Sequence, residues 1–366
     1  MDFASVTAAP YRDWAQRYPG RRALGYLCSY VPEEIIHAAG FVPIRIFPPA
    51  GPSTRADAHL QSYTCSLARG CLERALTGDL DFLDGVAFAH TCDTMQCLAD
   101  VWREAEEAVG RSRWVGWVVQ PVALTSPRAR GYLVGELKRF AASLTAAFGV
   151  PITDDGLRNS IALYNASRRL LAELYAHRDT LSAVTLWQVA NAAMLMPPED
   201  FQHLVTAITV NPLPDRHFAT ATPLVLTGAT LDEPALLALL EDLGARVAGD
   251  DLCNGERSFD APVSERDDPW EALADRYLRR TPCPCKHSGV TAREDHLLNL
   301  VHSRKAQGVI FLLKKFCEPH AWDYPPLAAA LERAGIPHLL VETEATTPLG
   351  VVRTRMEAFL EMLAVP

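Results

Sequence analysis

Short apolar runs of five or six residues recur along the chain, and between them lie stretches where apolar side chains return every three or four positions. The first pattern is that of strands buried on both faces and the second that of amphipathic helices. Their alternation predicts α/β architecture with largely parallel sheets. In the first half the strands are read at residues 23–27, 42–47, 85–89 and 115–120, with helices beginning after Pro32 and spanning 66–76 and 94–109. A predominantly helical stretch runs from Pro127 to Val210, broken near Pro151, near residues 177–180 and at Pro197 and Pro198. The polar, proline-containing segment 211–215 reads as a linker. Beyond it come strands at 223–226, 245–249, 308–313 and 338–341, with helices near 233–243, 269–278, 293–304, 325–334 and 351–363. No internal repeat emerges. The expected organisation is an amino-terminal α/β domain with a helical extension, residues 1–213, and a carboxyl-terminal α/β domain, residues 214–366. Each is an open doubly wound sheet, the kind that binds ligands at the carboxyl ends of its strands.

Composition narrows the function. A chain of 366 residues, 49% hydrophobic and 22% charged, is folded rather than disordered, and its length favours two domains. The net charge of -9, with no basic stripe, argues against nucleic acid, whose binding depends on clustered Lys and Arg. No apolar run approaches the roughly 20 residues that cross a bilayer. Residues 1–10 carry Asp2 and lack the basic and apolar regions of a secretory signal, so a cytoplasmic protein is expected, with no membrane partner.

Nine cysteines then need a role, since structural disulfides are rare in that compartment. Some are expected to be plain buried thiols. Others fall where ligands gather: Cys92 and Cys317 follow strands directly, Cys28 ends the first strand, Cys253 lies after another, and Cys65 sits at a helix start. Helix amino termini favour the thiolate, the form that binds metals. Cys71 and Cys97 lie six and five positions after Cys65 and Cys92, which turns them away on a continuous helix and marks them as packing residues. Cys283, Cys285 and His287 look like half a zinc site without its second ligand pair, or like a loop beside the main site. His90 and His320 flank the candidate ligands as donors to them or as satisfied structural groups. No ferredoxin-type Cys-x-x-Cys run is present. Three thiolates would leave one iron of a four-iron cluster without a protein sulfur.

Six stretches, in this order, resemble the benzoyl-CoA reductase and 2-hydroxyglutaryl-CoA dehydratase component-D family over essentially the whole chain. They are the segment from Gly25 to Arg45 that includes Cys28-Ser-Tyr-Val-Pro-Glu-Glu34, then Cys65-Ser-Leu-Ala-Arg69, Thr91-Cys-Asp-Thr94, Asp250-Asp-Leu-Cys-Asn-Gly-Glu-Arg257, Lys315-Phe-Cys-Glu-Pro-His320 and Arg353-Thr-Arg-Met-Glu-Ala-Phe-Leu-Glu-Met362. The resemblance implies two flavodoxin-like (Rossmann-like) domains with a helical segment between them, a [4Fe-4S] cluster on Cys65, Cys92 and Cys317, and a heterodimer with a related second subunit. It also implies a separate ATP-hydrolysing iron–sulfur activator, and this chain has no phosphate-binding Gly-x-x-x-x-Gly-Lys-[Ser/Thr] loop of its own. The implied reaction removes water from a 2-hydroxyacyl-CoA through a ketyl radical after one-electron reduction. Within the same resemblance stand a benzoyl-CoA reductase subunit, a homodimeric double-cubane cluster reductase, and a non-catalytic relay or scaffold subunit.

Ser29, Glu33 and Glu34 follow the first strand tip and are the candidate catalytic groups, a hydroxyl and two carboxylates able to act as acid or base if burial raises their pKa. The plainer account makes both glutamates first-turn helix acids behind Pro32. Arg353 and Arg355 are candidates for coenzyme A phosphates, against ordinary surface ion pairs.

Overall fold

The computed structural model describes residues 2–210, 218, 220–344 and 347–364, so the linker read at 211–215 lies outside the described residues. Eight strands are present: β1 (Arg22–Leu27), β2 (Phe41–Arg45), β3 (Gly85–His90), β4 (Trp114–Val119), β5 (Thr222–Gly228), β6 (Ala245–Asp251), β7 (Gly308–Lys314) and β8 (His338–Thr343). The first nine helices are α1 (Phe3–Ala8), α2 (Trp14–Arg17), α3 (Glu33–Ala38), α4 (Ser66–Thr77), α5 (Asp93–Ala108), α6 (Ala129–Phe148), α7 (Asp154–Tyr175), α8 (Ala183–Ala193) and α9 (Pro198–Val210). The remainder are α10 (Ala235–Asp242), α11 (Pro269–Leu278), α12 (Val290–Ser303), α13 (Glu318–Arg333) and α14 (Leu349–Ala364). No helix among the described residues is long and apolar enough to cross a membrane.

The strands form two four-stranded sheets with every pairing parallel, ordered β2-β1-β3-β4 and β6-β5-β7-β8. Both orders therefore read 2-1-3-4, and the α/β class expected from the alternating pattern is what the chain adopts. Strands β1, β3, β5 and β7 are the central ones and are buried nearly end to end, which is why they read as unbroken apolar runs. In each sheet the order reverses between the two central strands, and connections leave the carboxyl edge in opposite directions there, opening a crevice.

Helices cover both faces. One core cluster joins the first sheet to residues of α1, α4, α5, α8 and α9, and a second joins it to α3, α6, α7 and α11. Helix α11 belongs to the second half of the sequence, yet its Trp270, Leu273 and Tyr277 pack in the same cluster as Leu133, Leu137 and Phe140 of α6. Residues of α10, α14 and α8 cover one face of the second sheet, and α12 and α13 the other. Gly70 lets α4 lie against the exit of β2, because a Cβ there would stand 2.4 Å from Pro48 Cβ.

One helix departs from expectation. Pro325 and Pro326 suggest a start at 325, but α13 begins at Glu318 and carries both prolines inside it. A proline inside a helix removes a backbone donor rather than forbidding the turn, and Leu327, Ala328 and Leu331 beyond it are buried in the core. The consequence is that Cys317 stands at a helix terminus, not in a loop.

Candidate functional site

Cys65, Cys92 and Cys317 occupy the same structural position three times. Each is the residue immediately before a helix, capping α4, α5 and α13 respectively. Each of these helices leads into the next parallel strand of its sheet, so its amino terminus sits at the carboxyl edge by topology alone. The backbone N–H groups of Ala68, Met95 and His320 lie against the three sulfurs and draw their pKa values down, short of full capping hydrogen bonds.

The three thiols share one constellation drawn from both sheets. Burial, with the neighbouring Cys92 as a smaller cause, pushes Cys65 up to about 11. Cys317 is raised first by burial and then by Cys65 and Cys92. Cys285, on the turn after α11, interacts with Cys92 and Cys283, and this pushes its pKa up while drawing those of Cys92 and Cys283 down. Among the described residues no group of three His, Cys, Asp or Glu side chains stands close enough to hold a single metal ion.

The remaining cysteines divide. Cys28 takes a left-handed backbone, φ 75°, directly after β1, and accepts from the Thr91 hydroxyl at 3.5 Å. Phe316, just before Cys317, is also left-handed at φ 62°. Such conformations cost non-glycine residues roughly 1–2 kcal/mol, and here they mark a strand exit in each sheet. Cys253 lies beside Arg257, whose Nη1 is 3.6 Å from its sulfur. Cys71 is buried in the core as expected, whereas Cys97 points away from the site but is exposed rather than packed.

The turn carrying Ser29 is clamped from several sides. Arg280 donates to the Ser29 carbonyl, Gln120 to the Tyr30 carbonyl at 3.1 Å, and the Tyr277 hydroxyl to the Val31 carbonyl at 3.2 Å. The two glutamates that follow do open α3 as first-turn acids, but their partners differ. Glu34 is fully buried and ion-paired with Arg168; burial raises its pKa, and Arg168 and Arg276 outweigh that and hold it below the usual range. Glu33 accepts from the Tyr26 hydroxyl and is raised by burial, against the pull of Arg168. Ser29 and Glu33 line a cavity of about 30 Å³ with Arg45 and Tyr164, while Glu34 does not reach it. That is room for little more than one water.

The second sheet's edge is built from charge. Burial would raise Asp251, but Arg257 and Arg293 hold it far below the carboxylate range, with ion pairs of 2.8 and 3.0 Å. Burial, helped by Arg257 and Arg293, depresses the pKa of His320 well below the usual imidazole value. His90 instead stacks on Trp117, 6.2 Å between rings. His287 is 3.8 Å from Asp323. Arg353 forms a surface pair with Glu357 at 3.1 Å. Between the sheets a larger cleft of about 270 Å³ is walled by Pro48 and Pro49 on one side and Leu231, Lys314, Thr343 and Leu349 on the other. Lys314 pairs with Asp232, and its charge also reaches Cys65.

Of the residues that sequence reading passed over, two carry a clear physical signature. Among the described residues, nine Lys and Arg side chains are buried, and seven of them pair with carboxylates. The exceptions are Arg45, whose Nη1 reaches only the Cys253 carbonyl at 3.5 Å, and Lys286 beside Cys285. Nothing local in the sequence distinguishes them, because the missing partner is a property of the packed interior.

Comparison with known proteins finds relatives over nearly the whole chain. The family described as 2-hydroxyglutaryl-CoA dehydratase, D-component, matches residues 28–363. The chain is 28% identical to the (R)-2-hydroxyglutaryl-CoA dehydratase beta subunit of Acidaminococcus fermentans, over 99% of this chain and 98% of that protein. It is 26% identical to the (R)-phenyllactyl-CoA dehydratase beta subunit of Clostridium sporogenes, over 94% and 92%. It is 28% identical to a benzoyl-CoA reductase subunit of Thauera aromatica, over 93% and 88%.

Proposed function

Because the chain belongs to the 2-hydroxyglutaryl-CoA dehydratase D-component family, we propose that it is the iron–sulfur subunit of a 2-hydroxyacyl-CoA dehydratase, working with a related second subunit and an ATP-hydrolysing activator. The observation that carries the reading is the threefold placement of Cys65, Cys92 and Cys317 at crossover-helix termini, facing one another across two sheets. The donor set suits a [4Fe-4S] cluster. A polynuclear core spreads its ligands over separate irons, so its thiols stand farther apart than those around one ion, and helix amino termini stabilise the thiolates.

When bound, the cluster supplies a single low-potential electron, which on a thioester carbonyl permits expulsion of the 2-hydroxyl group through a ketyl radical. The protein's part is to hold the thiols, exclude water and manage protons. The buried aromatic and aliphatic surroundings of Cys65 keep the site dry. Glu33, raised by burial and accepting from Tyr26, is the carboxyl better suited to hold a proton, with Ser29 beside it in the same cavity. Glu34 is committed to Arg168 and serves to fix α3 beneath them.

The test is anaerobic purification of the complex, with iron and sulfide counts followed by turnover under activator, ATP and reductant. Turnover of a 2-hydroxyacyl-CoA with about four irons per chain is the expected result. Turnover of benzoyl-CoA alone would transfer the assignment to the reductase branch, which the likeness to the Thauera aromatica benzoyl-CoA reductase keeps in view. An iron-free chain would remove the reading altogether.

A further inference from the structure

Resting on that reading, we propose that Glu73 is the positioning residue for Cys65, fastening the connection that carries this thiol onto the helix it caps. The other two capping cysteines need no such device. Cys92 stands two residues past β3 and Cys317 three past β7, so the sheets themselves place them. Cys65 stands twenty residues past β2, at the end of a connection whose one regular element is a 3₁₀ turn at Ala56–Ala58. Packing does not hold that connection: of residues 51–63 only Ala56 is buried. A thiol delivered by such a segment needs polar contacts to fix its place.

Glu73 supplies them. It lies on α4, eight residues after Cys65, and is 6% exposed. Its Oε2 accepts the backbone N–H groups of Thr54, Arg55 and Ala56 at 3.0, 2.8 and 2.8 Å, and its Oε1 accepts the Thr54 hydroxyl at 3.2 Å. One side chain thus takes three successive N–H donors and a hydroxyl, which folds the middle of the connection back along the helix that follows it. Neighbouring contacts reinforce the fold-back: Arg55 donates to the Leu76 carbonyl at 2.7 Å, Arg74 to the Phe47 carbonyl at 2.8 Å, and Arg69 pairs with Asp57 at 2.6 Å. The Arg69 pair is partly exposed to water and contributes little alone. Hydrogen bonds to a buried carboxylate are charge-assisted and stronger.

With residues 54–56 tied to α4 and Cys65 capping its start, residues 57–64 become a short excursion held at both ends. The thiol on which it ends keeps its place in the core against which Cys92 and Cys317 also pack. The same fold-back sets Pro48, Pro49 and Ala50 as one wall of the cleft between the sheets. Glu73 acts through Cys65 and touches neither a cluster nor a substrate itself.

The experiment compares the anaerobically purified two-subunit complex in its wild-type form with Glu73→Ala and Glu73→Gln in this chain. Iron release to a chelator is timed, and the iron-depleted complex is then treated with iodoacetamide and its modified cysteines are read by peptide mapping. Glu73→Ala is expected to release iron and to alkylate Cys65 about tenfold faster than wild type, the scale of losing an outer-shell partner of a metal ligand. Cys71, fully buried on the same helix, should stay unmodified in every variant. Glu73→Gln should stay near wild type, because its amide oxygen can accept the three N–H groups while its NH2 donates to the Thr54 hydroxyl. Unchanged Cys65 reactivity in Glu73→Ala, Cys71 labelled in step with Cys65, or Glu73→Gln as impaired as Glu73→Ala would each overturn the inference. Should Glu73→Ala not assemble, Glu73→Asp, one methylene too short to span the same gap, is read by the same criteria. A wild-type chain that holds no iron defeats the proposed function itself, while the alkylation rates still decide whether Glu73 holds Cys65.

Discussion

The two sheets share one strand order but use their carboxyl edges differently. At matching positions β3 and β7 each lead to a helix-capping thiol, Cys92 and Cys317. The connection after β2 supplies a third, Cys65, whereas the end of its counterpart β6 and the connection after it supply the ion network of Asp250, Asp251, Arg257 and Arg293, beside Cys253, Cys283 and Cys285, none of which caps a helix. Topology thus provides equivalent sockets, and sequence puts a helix-capping thiol in one and a paired-charge network in the other. The first sheet supplies two of the three helix-capping cysteines, and the second supplies one.

The largest expected effect follows from that asymmetry. Cys317 is the one of the three helix-capping thiols that the second sheet supplies, through α13. Cys317→Ser should lower bound iron on the order of tenfold, by analogy with the loss of metal-site partners. Cys92→Ser should be milder, since it leaves Cys65 on the same sheet's edge. Iron assays on anaerobically prepared complexes decide it, and an equal or reversed order would break the comparison.

Next come the buried ion pairs that brace each sheet. Glu34→Gln leaves Arg168 buried without its carboxylate, and breaking such a pair costs about 3–5 kcal/mol. Asp251→Asn strands Arg257, while Arg293 keeps Asp323 at 3.0 Å, so its cost should be of the same order. Urea unfolding of the two variants measures this directly. A loss under about 1 kcal/mol in either would mean that the pair is solvated in solution and braces nothing.

A smaller effect separates two adjacent residues by sign. The folded state raises the pKa of Glu33, chiefly by burial, so its contribution to stability is present below the unfolded value near 4.5 and is lost as pH rises through the folded pKa. Glu34 is lowered, because Arg168 and Arg276 outweigh burial, so its contribution is present above the unfolded value and is lost as pH falls through the folded pKa. Glu33→Gln should therefore flatten the fall in unfolding midpoint as pH rises above 4.5. An unchanged slope would show that Glu33 is not the group responsible.

How much of this was legible depended on whether the cause was local. All eight strands could be read because burial on both faces writes an uninterrupted apolar run. The helix start at Glu318 was hidden by Pro325 and Pro326, whose local preference the buried Leu327 and Leu331 override. Glu33 and Glu34 read alike as first-turn acids, but burial raises Glu33 whereas Arg168 and Arg276 lower Glu34, and Arg168 arrives from α7 through tertiary packing. The approach of Cys285 to Cys92 likewise depends on α11 docking against the first sheet, which no spacing of cysteines encodes.

The smallest expected effect tests the assignment from the other side. Cys97 shares α5 with Cys92, but at five positions along the helix it faces away and is exposed. Cys97→Ser should leave iron content, potential and activity within error, and its stability change should stay within about 0.5 kcal/mol, as for ordinary surface positions. In the wild-type complex, iodoacetamide should label Cys97 while the cluster is intact. If Cys97→Ser instead removes iron, thiols on α5 matter by being near one another rather than by capping the helix, and the distinction between the sulfur-bearing and charge-bearing edges loses its geometric basis.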